Sequence, residues 1–187
     1  MQILRDDNCI VLDFLPRGHA TGRGEPIVQV LGEKYFSLLE VVVKKELNLK
    51  PGDKIYIGEG KRDQVDYIKR RVPVNDLTTF AKSELPVVIE KLVKENEPRF
   101  VDFFNKSTSI STRIHQLELL PGVGKKHMWD IINEREKNGP FKNFDDLKKR
   151  IHLLPDPVNA IVRRIMQELE NENERFHLFV IVPQKRF

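Results

Sequence analysis

One pattern occurs twice. Residues 117–132, LELLPGVGKKHMWDII, align without a gap on residues 151–166, IHLLPDPVNAIVRRIM. Self-similarity of this kind marks a repeated supersecondary unit. Both copies carry Leu-Leu-Pro, a short step, and then apolar residues at helical spacing. In the first copy Met128, Ile131 and Ile132 form the buried stripe of a helix that stops at Asn138-Gly139-Pro140. Asn143 then caps FDDLKKR, whose acids fall in the first turn and bases in the last, as the helix dipole favours. In the second copy Asp156 precedes Pro157 at the first helical position, and Val158, Ile161, Val162, Ile165 and Leu169 carry that helix onward. The step between Leu-Leu-Pro and the helix differs: Gly122-Val123-Gly124 in one copy, Asp156-Pro157-Val158 in the other. The scaffold is shared and the hairpin is not.

Upstream the chain is rich in β-branched and aromatic runs. CIVLDFLP, PIVQVLG, YFSLLEVVV, Lys54–Ile57 after the Pro51-Gly52-Asp53 turn, and QVDYIKRRV read as five short strands. So short a sheet leaves exposed edges unless it closes, so residues 1–74 are expected to form a small β-barrel resembling an OB or S1-like barrel. A helical connector follows over 75–109, with a helix beginning near Ser83 and another capped at Asn96-Glu97-Pro98. Ile110, Ile114 and Leu117 continue helical spacing into a repeat domain over 110–172. The tail, 173–187, holds an apolar run from Phe176 to Val182 and is expected to return as a strand packing on the barrel. The expected fold is α+β: an N-terminal barrel, a C-terminal all-α repeat domain and a returning strand.

The hairpin LLPGVGKK carries the chemistry. Glycine accepts φ > 0 and leaves the backbone open to an outside group. The following helix offers unpaired N–H groups and a partial positive charge, an anion site to which Lys125 and Lys126 add full charges. Val123 points inward and holds the hairpin. A nucleic-acid phosphate suits such donors and is bound without reading sequence.

LPGVGKK followed by DIINEREKNGPFKNFDDL resembles the tandem helix-hairpin-helix of the competence protein ComEA and its relatives, over roughly 110–170. The resemblance implies sequence-independent nucleic-acid binding through Gly122, Val123, Gly124, Lys125, Lys126 and His127, and a monovalent cation on the hairpin carbonyls of Leu120–Gly124. Two departures stand out: Met128 where a small residue is usual, and a second hairpin without glycines. The whole chain also resembles an uncharacterised archaeal family that joins a small barrel to such motifs. Its genes tend to lie beside those for ribosomal and transcription proteins, which implies RNA as readily as DNA, and makes a protein–protein adaptor on such a complex the rival reading.

Other chemistries fit less well. Hairpin-bearing DNA glycosylases use a lysine at the place of Lys126, but they need a carboxylate where this chain has Phe144. Asp53 with Glu59 and Lys61 is spaced too tightly for a metal-dependent nuclease, and Glu59-Gly60-Lys61 reads as a hairpin turn. His19, His115, His127, His152 and His177 show no metal-ligand spacing, and the lone cysteine, Cys9, reads as core. Trp129 could stack on a base, but on a helix carrying an Ile-Ile stripe it reads as core, and Asp6, Asp7 and Asp13 read as solvated. With 32 Lys and Arg against 28 Asp and Glu the net charge is only +4, so placement matters more than total. Secondary basic contacts are expected from Arg17 and Arg23 in the glycine-rich loop PRGHATGRGE, and from Lys148, Lys149 and Arg150 at a helix end. MQILRDDNCI has no basic region ahead of a long apolar run, so no signal peptide is expected, and no apolar run reaches the about 20 residues that span a bilayer. The expectation is a cytoplasmic monomer, non-catalytic and free of cofactor, binding DNA or RNA.

Overall fold

The computed structural model describes residues 4–22, 24–171 and 173–181. The chain divides into two compact units, one formed by Met1–Val88 with Gln167–Phe187 and the other by Ile89–Met166. This is a coarser partition than the four segments expected from sequence. The fold is α+β, with a five-stranded antiparallel half-barrel sheet and five α-helices.

In the first unit β1 (Asn8–Leu15), β2 (Ile27–Gly32), β3 (Leu38–Val43), β4 (Lys54–Tyr56) and β5 (Val65–Arg71) form one sheet in the order β4-β1-β2-β3-β5. Every ladder is antiparallel. Strands β4 and β5 at the edges therefore point the same way, and closing the sheet would require a parallel ladder between them. None forms among the described residues, so the closed barrel expected from the sequence is an open, curled sheet. For the same reason Glu59-Gly60-Lys61 is a loop between β4 and β5 rather than a hairpin turn. Central strands β2 and β3 are buried along their whole length, whereas β5 buries only Val65. Val11, Val28, Val30, Leu39, Val41 and Ile55 pack with Cys9 in the core, and burial pushes the Cys9 thiol well above its ordinary range.

Two acids read as solvated are structural. Asp6 is buried, and its carboxylate accepts the N–H groups of Lys34 and Tyr35 at 2.8 Å each and of Ser37 at 3.2 Å, which fixes the β2–β3 turn. It sits so close to Gly32 that a Cβ there would clash with its carboxylate. Asp13 accepts the Thr78 hydroxyl at 2.6 Å. Across the β2–β3 ladder Gln29 faces Glu40, both fully buried. The Glu40 carboxylate accepts from His19 at 2.7 Å, Gln29 at 3.1 Å and Arg70 at 2.9 Å. Burial alone would raise the Glu40 pKa; the bonds from Gln29, His19 and Arg70 outweigh it and hold the carboxyl below its usual range.

Helix α1 (Thr79–Glu95) starts four residues before Ser83, because the Thr78 hydroxyl accepts the Ala81 N–H at 3.0 Å as an N-cap, and it carries Pro86 inside. The expected C-terminal strand is not formed among the described residues. Leu178, Phe179 and Val180 instead donate their N–H groups to the buried Glu168 carboxylate at 2.8–3.0 Å, and Ile181 donates to the Tyr35 carbonyl at 3.3 Å. A carboxylate satisfies the tail where a strand ladder was expected. Val182 lies outside the described residues.

In the second unit α2 (Glu97–Lys106), α3 (Lys125–Asn138), α4 (Phe144–Arg150) and α5 (Pro157–Glu170) follow, the division between units falling inside α1 and α5. Residues 110–117 do not form the expected helix: a loop with one bridge, Ser109 to His115, leads into a short 3-10 turn at Gln116–Leu119. Asn105 holds both backbone groups of Phe141, at 2.8 and 2.9 Å, and Glu97 accepts the Phe144 N–H at 2.7 Å. Arg135 donates to the carbonyls of Phe104 and Ser107, at 2.7 and 2.8 Å, closing the C-terminal end of α2. No helix is long and apolar enough to cross a membrane among the described residues.

Candidate nucleic-acid interface

Leu120-Pro121-Gly122-Val123 is a type II turn: Pro occupies the second place, Gly122 has φ 87°, and the Val123 N–H donates to the Leu120 carbonyl at 3.0 Å. Val123 is 5% exposed and is the inward plug expected of it. The two glycines do different things. A Cβ on Gly122 would lie 3.1 Å from Pro155 Cγ, so this glycine lets the first hairpin approach the second. A Cβ on Gly124 would meet nothing within 4 Å, and its φ of −90° with ψ −177° is ordinary extended backbone. Gly124 is the open side of the turn.

Gly124 is also the N-cap of α3 and has no side chain to cap with. The first turn carries no acid, only Lys125 and Lys126, both exposed, and the half-buried His127. That is the wrong sign for a helix N-terminus standing alone. Helix α4 shows the ordinary arrangement: Asn143 accepts the Asp146 N–H at 2.7 Å, acids fill the first turn and bases the last. In the second hairpin Asp156 accepts the Asn159 N–H at 2.9 Å, and α5 begins at Pro157, two alignment positions earlier than α3. There the helix caps itself, while the N-cap of α3 makes no side-chain hydrogen bond.

His115 steers the chain into the hairpin. Its Nδ1 accepts the Leu117 N–H at 3.1 Å, and Glu118 accepts the His115 N–H at 3.0 Å, a reciprocal capping box. Burial, and then the Arg135 charge, hold the imidazole pKa below its ordinary value, so the ring is neutral and Nδ1 keeps its lone pair. Sequence reasoning gave His115 no role, although His-Gln-Leu-Glu has the spacing of a capping box.

The secondary basic residues separate. Arg150 is committed internally: it bonds Glu134 at 2.9 Å and the Gly139 carbonyl at 2.7 Å, and lies 4.4 Å over the Phe141 ring. Lys148 pairs with Asp145 and Asp156 at 3.4 and 3.8 Å. Lys149 and Arg17 are exposed, and Arg23 lies outside the described residues. Trp129, expected in the core, is 56% exposed, while Met128 beside it is buried. Phe144 is buried, Asp145 is exposed, and Asp146 binds the Lys142 N–H and Arg150. Among the described residues no His, Cys, Asp and Glu cluster could hold a metal ion.

Comparisons with known proteins extend over nearly the whole chain. Residues 5–181 match the family described as "Protein of unknown function (DUF655)". An uncharacterized protein of Methanocaldococcus jannaschii, MJ0038, is 46% identical over 171 residues, covering 91% of this chain and 77% of the relative. The crystal structure of Af1531 from Archaeoglobus fulgidus is 48% identical with a TM-score of 0.86, covering 94% of this chain and all of the other.

Proposed function

The chain belongs to the DUF655 family, and we propose that it binds nucleic acid, DNA or RNA, by holding backbone phosphate at the N-terminus of α3. The observation that carries this reading is the reversed charge of that terminus. An uncapped first turn bearing Lys125 and Lys126 and no acid, next to an open Gly124, suits an anion and does little for the helix by itself. Phosphate contacts of this kind position a strand without reading its bases, so the binding is largely independent of sequence and non-catalytic.

The finer reading of the fold belongs with it. Strand order β4-β1-β2-β3-β5 is that of an OB or S1-like sheet opened between its last two strands, and the two Leu-Leu-Pro hairpins support a tandem helix-hairpin-helix. Carbonyl oxygens at Leu120–Gly124 are hard donors of the type that takes K⁺ or Na⁺. A cytoplasmic monomer is the setting we propose.

A protein adaptor on a ribosomal or transcription complex is the second reading. Leu153 favours it, being 75% exposed at the second hairpin with a φ of 58°.

Gel-shift or anisotropy titrations at two salt concentrations separate the two. Replacing Lys125 and Lys126 by Ala should weaken binding alike for all sequences and lower the log–log salt slope by roughly 1 to 2. Salt-independent association with a protein partner, and no nucleic-acid binding, would instead select the adaptor.

A further inference from the structure

Helix α3 presents more than cations. Between α3 and the end of α4 lies a groove of about 340 Å³, within the range of about 300–1,000 Å³ usual for small-ligand sites. Lys126, Asp130, Asn133, Lys137 and His152 line it together with the Glu134–Arg150 ion pair, and Trp129 lies beside it rather than in its lining. Lys126 thus belongs both to the first turn of α3 and to this groove. Trp129 stands three residues from Lys126 and four from Asn133, so it is a neighbour of both on the helix surface. It is a large aromatic left 56% exposed on a helix that has apolar company to offer it.

The lining is of mixed sign. A groove meant for backbone phosphate alone would be cationic throughout, yet Asp130 and Asn133 offer a carboxylate and an amide. Those groups match the N–H and C=O edges of a nucleobase, and an indole matches its face. Base edges and faces are available only where the strand is unpaired.

We propose that this face of α3 takes an unpaired nucleotide of a single strand. The base stacks on Trp129 with its edge toward Asp130 and Asn133, and the adjoining phosphate reaches Lys126. The proposal rests on the hairpin reading above and adds to it the strandedness of the ligand.

Trp129 is the chain's one tryptophan, so its fluorescence reports on this place alone. The experiment titrates the full chain with single-stranded DNA and RNA of about twelve nucleotides and with the matching duplexes, following fluorescence and anisotropy together. The expected result is quenching by single strands and not by duplexes. Trp129→Ala should weaken single-strand binding about 5- to 150-fold, with Trp129→Phe keeping most of it. Because the indole is exposed, neither change should alter melting. The DNA and RNA arms show which strand is preferred. Equal quenching by duplex, or single-strand affinity untouched by Trp129→Ala while Lys125→Ala with Lys126→Ala still weakens binding, overturns this proposal and leaves the hairpin reading standing. If neither the tryptophan nor the lysine variants change binding, both fall.

Discussion

Gly122 of the first hairpin lies against Pro155 of the second, close enough that a single methyl group on the glycine would stand 3.1 Å from the proline ring. The two hairpins therefore meet where Gly122, peculiar to the first copy, faces Pro155, the proline that both copies share. Gly122 also has φ 87°, which an L side chain adopts only with strain. Gly122→Ala should destabilise the protein by about 1–3 kcal/mol. Gly124→Ala has open space and extended backbone, and should cost no more than the roughly 0.5–1 kcal/mol of a poorer N-cap. Urea melts of the two variants check the order; equal losses would mean that the hairpin contact does not hold the repeat together.

His115 makes the hairpin sensitive to mild acid. Its pKa is held below the ordinary 6.5 in the folded state, so the unfolded chain takes up a proton that the fold resists. The stability it contributes is complete above about pH 6.5 and is lost as pH falls through that value and below it. His115→Asn keeps a side-chain acceptor for the Leu117 N–H and removes the titration. Melting between pH 7.5 and 5.5 should therefore fall less steeply in the variant, and amides of residues 116–123 should exchange less readily at the acid end.

Asp6 organises the β2–β3 turn through three N–H groups. Asp6→Ala leaves them without that acceptor, at a cost on the order of 3 kcal/mol. Asp6→Asn keeps one acceptor oxygen and should fall between. Phe36, fully buried at φ 55°, is held in this turn, so near-neutral behaviour of Asp6→Ala in thermal melts would refute the carboxylate's role.

Glu168 does for the tail what Asp6 does for the turn. Removing its carboxylate by Glu168→Ala should release Leu178–Val180, seen as faster hydrogen exchange of those three amides, by more than about tenfold. Exchange unchanged from the parent protein would show that Phe179 and Val180 are held by apolar burial alone.

What the sequence determined by itself was everything governed by short-range chemistry. Short β-branched and aromatic runs between Gly- and Pro-rich segments placed all five strands. The Asn143 and Asp156 caps set the starts of α4 and α5, Gly139 closed α3, and the Pro121-Gly122 pair marked a tight turn. Each follows from groups a few residues apart, whose geometry the backbone fixes. What the tertiary structure decided were the relationships between residues distant in the chain. Ile110, Ile114 and Leu117 have helical spacing, yet the bridge from Ser109 to His115 and the His115 capping box hold that stretch as a loop and a 3-10 turn. Asp6 and Glu168 look like surface acids until a turn and a tail bring three N–H groups to each. Trp129 looks like core until Met128 and Ile131 take the buried face of α3 and leave the indole outside. Gly122 and Gly124 are indistinguishable as letters; only the arrival of Pro155 beside one of them assigns packing to the first and open approach to the second. Periodicity records which residues share a face, but which face meets a neighbour is set by packing between segments, and no local pattern carries that.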